Sequence, residues 1–196
     1  MMENSTVLTY LDKIATKLIA NSEELTELDR LIGDGDHGIN IKRGFANIQE
    51  QLGAWKDANV STIFKNCAMI LMSKVGGSSG PLLASAFLGM SKVDNLNQML
   101  LAASEGIKAR GKAVVGEKTM LDIIEPASIE YDRVFKESQN HKYAITAALA
   151  VAKIQLDKSK DLIATKGRAS YLGERSKGTT DPGSLTMYLI LETLAE

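Results

Sequence analysis

LDRLIGDGDHGINIKRGF, residues 28–45, is the stretch on which the reading of this chain turns. TELDRLI ahead of it and INIKRGF behind it both carry apolar residues at helical spacing. Gly33, Gly35 and Gly38 interrupt that spacing and let the backbone turn sharply between two helices. Asp29, Asp34 and Asp36 then bring three carboxylates to one turn, with His37 and Asn40 next in line. Clustered acids repel one another. A hard cation such as Mg²⁺, which takes oxygen ligands at short, near-octahedral distances, is what such a cluster suits. The alternative is a polar Asp-Gly loop that merely joins two helices.

Outward from this turn the helical pattern continues in both directions. Leu8, Leu11, Ile14, Leu18 and Ile19 predict an amphipathic helix over 6–20. Asn21 and Ser22 are placed to cap a second, with Leu25, Leu28, Leu31 and Ile32 as its apolar stripe. A third is expected over 39–52, with Ile41, Phe45, Ile48 and Leu52 inward. A fourth, over 60–74, carries Phe64, Cys67, Ala68, Leu71 and Val75 on its buried side. Pro81 reads as the first residue of a fifth. Further helices are expected over 95–110, 119–136, 142–158 and 184–195, and Pro126 predicts a kink or a late first turn in the second of these. The segment 165–183, rich in Gly, Ser and Thr, reads as a long loop. No segment alternates with period two. The expected fold is all-α, a closed antiparallel up-and-down barrel or bundle of about eight amphipathic helices in one domain over 1–196.

Composition narrows the function. With a net charge of −1 and 5% aromatic residues, the 196-residue chain offers neither a basic field nor stacking platforms for nucleic acid. Its N-terminus lacks the basic and apolar regions of a signal peptide, and no apolar run approaches the length of a membrane span. The lone Cys67 lies in an apolar-periodic helix and reads as a buried small residue in a reducing compartment. A cytoplasmic protein with no nucleic-acid or membrane partner is expected.

Gly-rich loops recur at 33–38, 76–80, 111–118 and 166–183, with about two helices between successive ones. In an up-and-down bundle, loops two helices apart return to the same end. The unusual chemistry is therefore expected on one rim. GGSSGP (76–81) leads small residues and backbone N–H groups into a helix start, a cradle suited to phosphate or simply a flexible turn. Thr119 in GEKTMLD is either a helix cap or a hydroxyl for a ligand. Arg168 stands among small residues, solvated or turned to a phosphate. TTDPGS (179–184) starts the last helix and also borders the rim.

Three likenesses fail. The run 111–119 is one residue too long for a P-loop and has no strand before it. The DGD turn departs from an EF-hand at Gly38 and at Phe45. A phosphatase-type Asp-x-Asp nucleophile needs a buried strand ahead of it, and TELDRLI is helical.

Together, LDRLIGDGDHGINIKRGF, VGGSSGPL, GEKTMLD and GRASYLGERSKGTTDPGS, in that order over nearly the whole chain, resemble the nucleotide-binding L subunit of dihydroxyacetone kinase. The resemblance implies an eight-helix barrel holding ADP, or ATP when charged, and two Mg²⁺ ions at one end. It assigns Asp29, Asp34 and Asp36 to the metals. It places His37, Gly38, Ile39, Asn40, Ser78, Ser79, Gly111 and Met120 at the nucleotide, with Thr119 beside them. Arg168 and the Asp181, Pro182, Gly183 turn complete the site, and Arg168 is the catalytic candidate. The implied activity is a phosphotransferase, a phosphoenolpyruvate-dependent glycerone kinase. In it a phosphohistidine-carrying phosphotransferase protein recharges bound ADP, and a dihydroxyacetone-binding subunit holds the acceptor.

The chain stands alone from Met1 to Glu196, which favours this form over the ATP-dependent kinase in which the domain is fused to a substrate-binding one. The substrate-binding histidine belongs to the partner, so neither His37 nor His141 takes that role. A homodimer is compatible with the sequence. The alternatives are an ATP-dependent kinase subunit, a fatty-acid kinase domain, and a non-enzymatic helical domain binding a lipid or a transcription regulator.

Overall fold

Val7, Leu11, Ile14, Ala15 and Leu18 fall on one face of a helix over Asn4–Ala20 (α1), and all five are buried. The same logic builds the rest of the computed structural model, which describes residues 3–196. Met1 and Met2, within the expected domain, lie outside the described residues. After α1 come α2 (Ser22–Ile32), α3 (His37–Gln51), α4 (Val60–Lys74), α5 (Ser79–Met90) and α6 (Leu96–Gly111). The last three are α7 (Leu121–Ser138), α8 (His141–Ser159) and α9 (Pro182–Ala195). Two 3₁₀ segments, Leu52–Trp55 and Arg168–Ser176, complete the described residues, which contain no strand.

Each helix from α3 to α9 packs against the next, and α9 packs back against α1, which itself lies on α3. Eight of the nine α-helices among the described residues thus close a ring. The ninth, α2, stands outside it, over the ends of α3 and α9 and the second 3₁₀ segment. The expected barrel of about eight helices is this ring, and the second helix expected from the sequence, which carries Asp29, stands outside it. Its close seat on α3 depends on Gly38. A Cβ there would stand 1.9 Å from the Ser22 carbonyl oxygen, so any other residue would force the two helices apart.

Several local expectations change. Leu31 is 64% exposed, because the buried face of α2 is made by Ser22, Leu25, Thr26 and Ile32. Asn21 makes no side-chain cap, its amide donating back to the Lys17 carbonyl. α5 starts at Ser79, two residues before Pro81, and α7 runs through Pro126 as one helix. The segment 165–183 contains 3₁₀ turns where a plain loop was expected.

Phe45, Ile41, Ile48, Ile63, Leu71 and Leu121 form the fully buried centre. Each such side chain contributes about 1.5–3 kcal/mol of burial, and Phe45→Ala would cost about 3–5 kcal/mol. Cys67 is enclosed in this core, and burial pushes its thiol up to about 12, so it packs as a small apolar residue. Toward the end of the barrel where α1 and α8 begin and α9 finishes lies an apolar cavity of about 450 Å³, lined among others by Leu11, Phe64, Leu83, Phe87 and Leu191.

Candidate functional site

The opposite end holds a cleft of about 930 Å³. Its wall draws on the four Gly-rich connections, at 33–36, 76–79, 111–120 and 165–183. Alternating helix directions return these four loops to one rim, as the spacing of the sequence predicts.

On one side of the cleft, a carboxylate oxygen from each of Asp29, Asp34 and Asp36 lies within 4.8 Å of the others. Gly35, at φ +75°, makes the left-handed step that brings Asp34 and Asp36 back over α2. Asp29 has a second duty. Its Oδ2 accepts from the backbone N–H of Asp36 (2.9 Å) and of His37 (3.1 Å), which caps α3 from the preceding helix. An all-oxygen, triply charged donor set fits a hard divalent cation, so the residues suit Mg²⁺.

His37, the first residue of α3, is buried where α3, α5 and α9 meet. Its Nδ1 lies 3.0 Å from Ser79 Oγ and its Nε2 lies 2.8 Å from Thr186 Oγ1. Burial lowers its pKa to about 4, although the nearby Asp29 and Asp36 charges pull the other way, so the ring is neutral at pH 7. Ser78 and Ser79 open α5, where the first backbone N–H groups of a helix have no partner within it and the dipole favours an anion.

The other side of the cleft is sewn together by acids and one lysine. Asp122 accepts from the backbone N–H of Gly116 and, at 2.6 Å, of Thr119, closing the 112–120 turn. Glu117 accepts from Val114 N–H (2.8 Å) and from the Thr165 hydroxyl (2.8 Å), and these bonds hold its carboxyl below the usual range. Lys118, in the left-handed region at φ +59°, folds its side chain inward. It is 1% exposed, and its ammonium donates to the carbonyls of Ser159 (2.7 Å) and Lys160 (3.2 Å) at the end of α8. A cation there complements the negative end of the helix dipole, while burial lowers its pKa.

Asp181 caps α9 by accepting from Ser184 N–H at 2.7 Å, with Pro182 as the first helical residue. Burial pushes the Asp181 carboxyl up to about 6. Arg168 opens the 3₁₀ segment that packs against α2, and its guanidinium lies 3.0 Å from Asp34 Oδ2.

The cleft wall therefore brings together Asp29, Asp34, Asp36, His37, Ser78, Ser79, Gly111, Thr119, Met120, Arg168, Asp181, Pro182 and Gly183. Gly38, Ile39 and Asn40 lie off that wall. Gly38 is pressed against α2, Ile39 is 56% exposed, and Asn40 is buried, accepting from Arg43. The Thr119 hydroxyl turns to Leu121 N–H and Asp122 within its own loop.

Lys118, Lys166, Arg110 and Tyr171 also line the cleft, and sequence reasoning missed them. Lys118 stands in GEKTMLD, where the sequence offers it no partner. Thr186, behind His37, carried no signal, because a threonine inside an apolar helix is unremarkable until its neighbour is known.

Residues 31–196 match the family model described as "DAK2 domain". The chain is 44% identical over 200 residues to the "PTS-dependent dihydroxyacetone kinase, ADP-binding subunit DhaL" of Lactococcus lactis, covering 100% of this chain and 98% of that one. It is 36% identical to the "PEP-dependent dihydroxyacetone kinase, ADP-binding subunit DhaL" of Escherichia coli, over 99% and 97% of the two chains. Among solved structures, the dihydroxyacetone kinase of C. freundii in complex with AMP-PNP and Mg²⁺ superposes with a TM-score of 0.77 at 23% identity, over 99% of this chain and 34% of that one. That match shows the shared fold.

Proposed function

This chain belongs to the DAK2 domain family, and from that premise we propose that it is the ADP-binding subunit of a phosphoenolpyruvate-dependent dihydroxyacetone kinase. The carrying observation is the convergence of Asp29, Asp34 and Asp36 with the Gly76–Ser79 turn and Arg168 on one cleft. The relatives named for this function match over nearly their full length, which supports a free subunit recharged by a phosphohistidine-carrying protein.

In this reading Asp29, Asp34 and Asp36 would hold magnesium, and Ser78, Ser79 and the N–H groups that open α5 would hold the diphosphate. Three carboxylates beside a diphosphate concentrate negative charge that one divalent ion offsets only in part, which supports two Mg²⁺. When bound, the nucleotide would supply the phosphoryl group passed to dihydroxyacetone on a partner subunit, and magnesium would offset the phosphate charge.

The chain's own contribution is position and charge. Asp29 fixes the acidic turn against α3 through its two backbone bonds. His37 joins that turn to α5 and α9. Lys118, Asp122 and Glu117 hold the opposite wall. Arg168, over the acidic turn, brings a planar cation to where charge spreads on the transferred group. Thr119, Met120 and the 181–183 turn cover the remaining wall, beside Gly111.

The test is mass spectrometry of small molecules released from the purified chain, followed by turnover. ADP is expected to co-purify. Product is expected only when a dihydroxyacetone-binding subunit and a phosphohistidine donor are both added. Sustained turnover with ATP alone, with rapid exchange of labelled ADP, would move the protein to the ATP-dependent branch.

One observation favours a second, compatible reading. The apolar cavity of about 450 Å³ at the far end of the barrel suits an apolar guest such as an acyl chain. The same spectra would reveal a lipid.

A further inference from the structure

A buried chain of hydrogen bonds runs from the start of α9 through α3 to α5, and its direction follows from its far end. The Pro182 carbonyl can only accept. The Thr186 hydroxyl, fully buried, has one proton and donates it at 2.9 Å to that carbonyl, one turn back along α9. Toward His37, Thr186 Oγ1 is left as an acceptor, 2.8 Å from Nε2. Nε2 must therefore carry the ring proton. In a neutral imidazole Nδ1 is then a bare acceptor, and the hydroxyl 3.0 Å from it, that of Ser79, must donate.

We propose that Thr186 is a positioning residue that fixes His37 as its Nε2–H tautomer and so turns the Ser79 hydroxyl away from the cleft, leaving Ser79 Oγ an acceptor there. With its proton spent on His37, Ser79 has none to give to a phosphate oxygen. Anionic oxygens on the cleft side of α5 are met by backbone N–H groups of the Gly77–Ser79 turn. Ser79 Oγ faces a cation or a donor instead. The chain also links the DGDHG, GGSSG and TTDPGS segments through one ring, so a single hydroxyl on α9 sets the hydrogen-bond polarity of the rim.

The functional consequence rests on the nucleotide reading above, but the tautomer does not. The chain has only two histidines, so long-range ¹H–¹⁵N correlation resolves both rings, with His141→Gln assigning the second. The expected result for the nucleotide-free protein is the Nε2–H pattern at His37. Thr186→Val, which keeps the shape and removes the acceptor, should lose that pattern, and Thr186→Ser should restore it. Affinity for MgADP should fall about tenfold in Thr186→Val, as for other residues that orient a ligand-binding side chain, and recover in Thr186→Ser.

An Nδ1–H or imidazolium pattern in the unaltered protein would overturn the proposal. So would an unchanged tautomer in a folded Thr186→Val. If the Nε2–H pattern holds while the unaltered chain binds no MgADP, the nucleotide reading fails and the positioning role stands.

Discussion

The guanidinium of Arg168 stands 3.0 Å from the Asp34 carboxylate, so the 3₁₀ segment after α8 is tied directly to the acidic turn after α2. Both residues line the cleft, and both side chains are partly solvated. An ion pair of this kind contributes about 0–1 kcal/mol to stability. Its importance is chemical, because a cation held by Asp34 and the guanidinium draw on the same carboxylate. Arg168→Ala is therefore expected to leave the melting temperature nearly unchanged and Mg²⁺ affinity equal or higher. The phosphoryl-transfer rate should fall about a hundredfold or more. Arg168→Lys should rescue little, since a point charge does not reproduce a planar fork. Stopped-flow transfer measurements beside Mg²⁺ titration check this.

Asp29 joins two roles that substitution can separate. Asp29→Asn keeps an oxygen able to accept from the N–H groups of Asp36 and His37 but lowers the charge offered to a cation. It should fold with near-normal stability and bind Mg²⁺ more weakly. Asp29→Ala loses both functions and should cost about 1 kcal/mol in addition. Asp34→Ala and Asp36→Ala should lose metal and nucleotide while the helical circular-dichroism signal remains. Calorimetric titration and denaturant melts of the four variants decide the matter.

The buried His37 makes stability depend on pH with a definite sign. Its folded pKa is lowered to about 4, below the ordinary 6.5, so the unfolded chain binds more protons between those values. Its contribution is fully present above pH 6.5 and is lost as pH falls toward 4. Asp181, raised from 3.8 to about 6, acts oppositely over much of that window. Isolating the histidine requires a difference measurement. The stability of the unaltered chain minus that of His37→Gln should fall by about 2–3 kcal/mol between pH 7 and pH 4. Urea melts at several pH values measure it.

Lys118 pins the 112–120 loop to the end of α8 through the Ser159 and Lys160 carbonyls. Lys118→Met leaves those acceptors without their donor and should destabilise by about 1–3 kcal/mol. The 160–181 segment should exchange its amide hydrogens faster, and labelled ADP should leave sooner. Hydrogen-exchange mass spectrometry localises the effect. Uniform loosening of the whole barrel would argue against a local latch.

Ligand removal tests the rim as a whole. Binding only to the folded state stabilises by about 4 kcal/mol at a thousandfold excess of ligand over Kd. Stripping Mg²⁺ and ADP should lower the melting temperature by several degrees in a thermal scan.

What the sequence by itself determined is local or follows from counting. The period of its apolar residues specified helices and the buried faces of α1, α3 and α4, because a 3.6-residue repeat sets one side of a cylinder without reference to any neighbour. The spacing of Gly-rich loops every two helices placed them on one rim, because alternating helices return each second connection to the same end. The acidic trio was legible because its members lie within eight residues.

Only the tertiary structure decided what depends on distant partners. Leu31 continues the stripe of α2 yet faces outward, since α2 sits outside the ring and meets the barrel along a narrower face. Lys118 is buried because the end of α8 supplies its acceptors about forty positions away in the chain. The Nε2 of His37 meets Thr186, on the last helix, and the guanidinium of Arg168 meets Asp34 from a segment more than 130 positions later in the chain. Hydrogen-bond direction, burial of charge and pairing between distant segments are properties of two surfaces brought together, and periodicity along one segment holds no information about the other.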